Sequence, residues 1–199
     1  ITYHRTDSLN LSKDAIGSIA GFIEREFGKQ YLKVRGGFGK KSAGAQEAHE
    51  AIRPTSITRE VAGKNDYERR LYNLIRNRTL ATQMSDAKLE KTTVKIATPT
   101  DFLFEGKGEV IIFDGFLKVV GRTKESELPV LKAGQELAAK SIIARQTFSK
   151  PLARYTEGSL VKQLEKLGIG RPSTYASIMS AIQNRGYVIK GNSEGEESN

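Results

Sequence analysis

Three side chains of different chemistry alternate at the start of the chain: Tyr3, Arg5 and Asp7, within Ile1-Thr2-Tyr3-His4-Arg5-Thr6-Asp7-Ser8. In an extended segment alternate residues share a face, so these three would project together while His4 and Thr6 point the other way. That face carries a nucleophile, a cation and a carboxylate. A phenol titrates near about 10, so a tyrosine that attacks phosphorus at neutral pH needs a cation beside it to favour the phenolate and neutralise the phosphate oxygens. Arg5 suits both tasks. A solvated edge strand with a packed tyrosine is the plain structural alternative for the same residues.

Two further groups carry phosphate chemistry. His49 and Arg53 lie in Ala45-Gln46-Glu47-Ala48-His49-Glu50-Ala51-Ile52-Arg53-Pro54-Thr55, which reads as a short helix ended by Pro54, because the residue before a proline is pushed out of helical geometry. Four apart, the pair would share a helix face, as a structural contact or as a clamp on a phosphate. Near the other end, Ile169-Gly170-Arg171-Pro172 turns the chain into a helix starting near Ser173 or Thr174. Hydroxyls and free N–H groups there, with Arg171 beside them, would contact a phosphate; ordinary capping is the alternative. Residues 33–46 are basic and glycine-rich but fail the phosphate-loop spacing, and read as a mobile loop.

Composition narrows the classes. The 199 residues hold 32 Lys and Arg against 23 Asp and Glu, a net charge of +9 that attracts polyanions, nucleic acid first among them. The absence of cysteine excludes disulfides, thiolate zinc sites and thiol catalysis, and with two histidines a metal site would need carboxylates. No apolar run approaches the roughly 20 residues that span a bilayer, and the start lacks a signal-peptide pattern; an intracellular origin is expected. A start on Ile1 suggests a segment of a longer protein.

The elements that must position these groups follow from pattern. Ser12 caps a helix with Ile16, Ile19, Ala20, Ile23 and Phe27 at helical spacing, stopped by Gly28. From Asp66 a second helix would turn Leu71, Leu74 and Ile75 inward and Arg69, Arg70, Arg76 and Arg78 mostly outward, with Ala81 and Met84 continuing the pattern. Residues 88–148 read as an antiparallel β module. Its clearest sign is Asp114-Gly115, a hairpin dipeptide between residues 110–113 and 116–120, and a further strand is expected at 141–147 after a turn at Gly134. Thr156 caps a helix that Gly168 ends, and the helix after Ser173 closes at Asn184-Arg185-Gly186 ahead of strand-like Tyr187-Val188-Ile189, an arrangement like a winged helix-turn-helix. The tail from Gly191 has no apolar pattern and is expected to be disordered or a loop. The fold class expected is α+β, with a helical tyrosine-bearing lobe at 1–87, a β module at 88–150 and a helical, winged-helix-like portion at 151–199.

Three blocks in order, ITYHRTDS at 1–8, AHEAIRPT at 48–55 and GIGRPSTYASI at 168–178 followed by IQNRGYV at 182–188, closely resemble bacterial type IA DNA topoisomerases of the topoisomerase I branch. YTEGSLVKQLEKLG and FDGF extend the resemblance over essentially the whole chain, and Glu50 and Arg53 argue against the topoisomerase III branch. The resemblance implies an ATP-independent enzyme that cleaves one DNA strand through a 5′-phosphotyrosine, passes the other strand and rejoins the ends, relaxing negative supercoils. By the same resemblance Tyr3 is the nucleophile, Arg5 the cation on the scissile phosphate and Asp7 the organiser of the local network. His49 would sit at the neighbouring nucleotide with Arg53 supporting that element, and Arg53, Arg171, Ser173, Thr174 and Arg185 would bind DNA, single-stranded at the cleavage site. The β module would be part of the arch.

Departures from the family are His4, where methionine is usual, and Arg76, where tryptophan is common. The family's Mg²⁺ ligands lie outside this sequence, so the segment alone is expected to bind single-stranded DNA weakly and to relax none. A non-catalytic winged-helix module binding duplex DNA is the alternative from another class, and it would make Tyr3 dispensable.

Overall fold

A computed structural model describes residues 1–33, 49–121, 124–149 and 152–191. The glycine-rich loop, residues 45–48 of the expected short helix and the tail beyond 191 lie outside the described residues. The chain divides into two units, 1–139 and 140–199.

In the first unit, α1 (Lys13–Phe27) begins where the Ser12 hydroxyl accepts the Ala15 N–H, and it ends at Gly28, whose φ of +97° only glycine adopts without strain. Ala15, Ile19, Phe22 and Ile23 are buried, the face the spacing predicts. They pack with Ile57, Leu80 and Met84 into the core of this unit. α2 (Asp66–Gln83) starts at Asn65, whose side chain accepts the Glu68 N–H.

α2 does not present the expected face. Leu71 and Leu74 are 55% and 67% exposed, while Tyr72, Leu80 and Gln83 are buried. The cause is a pair of long side chains four residues apart with polar tips. The Tyr72 hydroxyl donates to the Arg59 carbonyl at 2.7 Å. The Arg76 Nε–H donates to the Ile57 carbonyl at 3.0 Å, and its guanidinium stands 5.2 Å from the centre of the Phe22 ring. These contacts bind α2 to the 56–59 segment and to α1, with both polar tips satisfied by backbone. Arg76 thus points inward, against the outward expectation, and caps an aromatic ring with a cation. Arg76→Ala should lower stability by about 1–2 kcal/mol, the sum of one hydrogen bond and one cation–π contact, read as a fall in the urea midpoint at unchanged slope.

Two strands, β1 (Lys88–Ala97) and β2 (Leu103–Phe113), pair antiparallel from Ala97 opposite Leu103 to Lys88 opposite Phe113. The tight connection therefore lies at 98–102. The Asp114-Gly115 hairpin does not form. Residues 117–120 make a short helix, α3 (Leu117–Val120), and no strand is present at 141–147. Asp114 is taken up by a distant partner: it is buried and accepts the Tyr31 hydroxyl at 2.7 Å. Gly115, at φ +48°, lets the backbone lie on residues 85–86, and the Phe116 N–H donates to the Ser85 carbonyl at 2.9 Å. Phe116 and Val119 then pack against the core, so this turn fastens the β ribbon to the helices. The turn at Gly134 is present, with the Gln135 N–H on the Lys132 carbonyl.

In the second unit, α4 (Glu157–Lys166) opens with a capping box between Thr156 and Ser159 and gives way at Gly168. α5 (Tyr175–Asn184) follows the Gly170–Thr174 turn. The expected wing is absent: residues 187–189 form no strand. After Gly186, at φ +70°, the N–H groups of Tyr187 and Val188 turn back to the Ile182 carbonyl and close the helix instead. The architecture is mixed helix and strand with a two-stranded antiparallel sheet.

Candidate active site

The opening residues are positioned by a ladder to the segment after His49. The Thr2 N–H donates to the Arg53 carbonyl at 2.8 Å, the Arg53 N–H donates to the Thr2 hydroxyl at 3.0 Å, and that hydroxyl donates to the Ala51 carbonyl at 3.0 Å. Residues 49–53 are not helical, so His49 and Arg53 do not share a helix face. Pairing with Thr2 takes the backbone groups that a helix would use. Beyond Thr2 the chain bends at His4 and Arg5, and the extended geometry expected for residues 1–8 fails there.

The bend changes what surrounds the phenol. The Tyr3 ring lies 4.9 Å from the His49 ring and 5.7 Å from the His4 ring, so His4 sits beside Tyr3 and not on an opposite face. Tyr3 is 51% exposed. Arg5 is exposed and Asp7 half-buried, and among the described residues no ion pair or hydrogen bond links either of them to Tyr3. Two imidazoles thus stand against one accessible phenol. From the site to α1 the backbone is held by successive hydroxyls: Ser8 N–H on Thr6 and Asn10 N–H on Ser8.

Arg53 is a half-buried brace. Its Nε and Nη2 donate to the two carboxylate oxygens of Glu50 at 2.9 and 2.8 Å, and Nη1 donates to the Pro54 carbonyl at 2.9 Å. Glu50 also accepts the Ser12 N–H, and the Ala51 N–H donates to the Asn10 carbonyl, which ties this segment to the start of α1. Composition and family motif singled out neither Thr2 nor the bracing part played by Glu50. The signal for Glu50 was present as a Glu and an Arg three residues apart.

The Arg53 hydrogen bond holds the Glu50 carboxyl below its ordinary value of 4.5; burial opposes this, and the Ser12 backbone contact assists. A carboxyl depressed in the native state contributes stability that is complete above its unfolded value and lost as pH falls through the folded one. Wild-type protein should therefore lose part of its stability on acidification below about pH 4.5. Glu50→Gln should be about 1.5 kcal/mol less stable at pH 7 and lack that part of the acid dependence, as followed by urea unfolding at several pH values.

The second unit holds Arg171, Ser173, Thr174 and Arg185. The Thr174 hydroxyl accepts the Arg171 N–H at 2.8 Å and donates to the Arg171 carbonyl, so it closes the turn before α5. Arg171 rests on the Gly170 carbonyl through Nη1 and is exposed, as are Ser173 and Arg185.

The family model described as DNA topoisomerase matches residues 1–196. DNA topoisomerase 1 of Pseudomonas aeruginosa is 47% identical over 199 residues, covering 96% of this chain and 23% of the relative. That of Campylobacter jejuni is 47% identical, covering 94% of this chain and 28% of the relative. The solved structure of full-length topoisomerase I from Thermotoga maritima superposes with a TM-score of 0.77 at 35% identity, over 96% of this chain and 31% of that one. The chain thus spans about a quarter of the curated relatives it matches. With a family match over nearly its whole length and the tyrosine site in its motif, the chain belongs to the bacterial type IA DNA topoisomerase I family.

Proposed function

We propose that this chain supplies the tyrosine-bearing part of an ATP-independent enzyme that cleaves and rejoins one DNA strand to relax negative supercoils. The observation that carries the reading is Tyr3 itself, half-exposed, flanked by the imidazoles of His49 and His4 and fixed from behind by the Thr2–Arg53 ladder. In the cleavage step the Tyr3 hydroxyl gives up its proton and its oxygen bonds to phosphorus, the bond from phosphorus to the 3′ oxygen breaks, that oxygen takes up a proton and leaves as a 3′ hydroxyl, and the 5′ end stays on the protein as a phosphotyrosine ester. Arg5, exposed beside Tyr3 in sequence, would draw the scissile phosphate in and neutralise its oxygens. His49 would lie along the adjacent nucleotide, and Asp7 would orient the stretch between the bend and α1. Arg171, Ser173, Thr174 and Arg185 would follow the single strand by phosphate contacts, with salt dependence as their signature. Arg53, with its donors turned to Glu50 and Pro54, would act on DNA by holding His49.

Among the described residues no group of three or more His, Cys, Asp or Glu is arranged for a metal. In this reading Mg²⁺ would be held by residues outside this chain. No helix among the described residues is long and apolar enough to cross a membrane. The β module at 88–150 would serve as a hinge and strut for the tyrosine lobe, and 151–199 would begin a DNA-binding portion.

A chimera tests the reading: residues 1–196 replace the matching stretch of the Pseudomonas aeruginosa relative. With Mg²⁺ it should relax negatively supercoiled plasmid without ATP. The chain alone should bind single-stranded DNA weakly, with affinity falling steeply as salt rises, and should relax none. Relaxation by the chain alone that is lost in Tyr3→Phe would overturn the division of labour, and a preference for duplex that ignores Tyr3 would overturn the whole reading.

A further inference from the structure

We infer that Glu50 is a positioning residue for strand cleavage, acting through Arg53 to keep the His49 ring against Tyr3; this rests on the strand-cleavage reading above. Glu50 stands at the crossing of three pieces of chain. Its carboxylate takes both Nε and Nη2 of Arg53, a planar two-point contact that fixes orientation as well as distance. The same carboxylate takes the Ser12 N–H at the start of α1. Arg53 in turn holds Thr2 by two backbone hydrogen bonds, and Thr2 precedes the tyrosine.

His49 directly precedes Glu50, and Tyr3 directly follows Thr2. Tyr3 and its imidazole neighbour thus adjoin one braced pair of chain segments. No regular helix or sheet holds either of them: residues 49–53 and the opening residues are both irregular. Their 4.9 Å ring contact therefore depends on the brace. The side chains of Arg53 and Glu50 are 16% and 28% exposed, enough shielding for the pair to keep its geometry when salt screens the surface. Among the described residues the polar contacts of Glu50 are with Ser12 and Arg53 and not with Tyr3, so its influence passes through Arg53 and the backbone.

Glu50→Gln separates placement from charge in DNA binding and from folding. Glutamine has one acceptor oxygen and presents an N–H₂ to the guanidinium, so the two-point contact is lost at nearly constant volume. Two measurements are made well below the melting temperature. In the chain itself, nuclear Overhauser contacts between the Tyr3 and His49 rings should be present in the parent and lost in Glu50→Gln. In the chimera, single-turnover formation of the covalent DNA complex should slow at least about tenfold, while the dissociation constant for single-stranded DNA changes less than about twofold. The exchange Glu50→Arg with Arg53→Glu should recover part of the rate.

Parent-like cleavage in Glu50→Gln, or a loss of rate matched by an equal loss of affinity, would overturn the inference. So would ring contacts that survive the substitution. If the parent chimera forms no covalent complex, the strand-cleavage reading falls by itself, and the ring contacts still report whether Glu50 holds His49 to Tyr3.

Discussion

Tyr3→Phe in the chimera should abolish the covalent protein–DNA complex and plasmid relaxation, a fall of at least about 10⁴-fold, with affinity for single-stranded DNA changed by less than about twofold. The substitution removes one atom, the oxygen that would bond to phosphorus. It keeps the ring that lies tilted beside His49 and His4, so the local packing stays. The other tyrosines make the experiment selective. The hydroxyls of Tyr31 and Tyr72 are committed to Asp114 and to the Arg59 carbonyl, each at 2.7 Å. Tyr67, Tyr155 and Tyr187 are 85%, 65% and 71% exposed. Phenylalanine at any of these three should leave cleavage intact. A covalent complex that persists in Tyr3→Phe would place the nucleophile elsewhere, and denaturing electrophoresis of end-labelled oligonucleotide reads the result directly.

The stretch that carries Tyr3 was legible because it is contiguous, whereas its surroundings were not. Alternation predicted a face shared by Tyr3, Arg5 and Asp7, but the chain bends at His4 and Arg5 and brings His4 to the phenol. The cause is non-local: Thr2 is captured by Arg53, 51 residues away, and spacing within eight residues carries no trace of that. Helix ends written in single residues were readable, as at Ser12 and Gly28 or at Thr156 and Gly168. The face of α2 was not. Hydrophobicity ranks Leu71 and Leu74 above Tyr72 and Arg76, yet the latter pair bury long stems and give their polar tips to the carbonyls of Arg59 and Ile57. The lesson extends to Arg76, which departs from the tryptophan common in the family yet still covers Phe22.

Asp114-Gly115 was misread for a related reason, and it yields the second large effect. Gly115→Ala should destabilise the protein by about 2–4 kcal/mol. One part is backbone strain, since φ of +48° lies in the left-handed region that a side chain disfavours. The other is steric: an added Cβ would stand 2.5 Å from the Ser85 carbonyl oxygen and 2.6 Å from that of Asp86. Both are backbone atoms at the start of the link to β1, so the turn must lift, and the Phe116 N–H bond to Ser85 goes with it. Gly121 separates the two parts. At φ +103° it has open space where a Cβ would point, so Gly121→Ala should cost strain alone, about 1–2 kcal/mol. Urea unfolding of the two variants side by side tests the difference, and equal losses would show that the seat on Ser85 and Asp86 contributes nothing. The functional consequence follows from where the seat lies. Gly115 fastens the β ribbon to the core that carries α1 and α2, but it does not touch the segment holding Tyr3 and His49. If the ribbon is the strut proposed above, the Gly115→Ala chimera should still cleave a short single-stranded oligonucleotide at about the parent rate below its melting temperature. It should relax plasmid more slowly, because in that reading passage of the second strand would draw on the strut. Loss of cleavage in step with relaxation would show instead that the turn supports the chemistry itself.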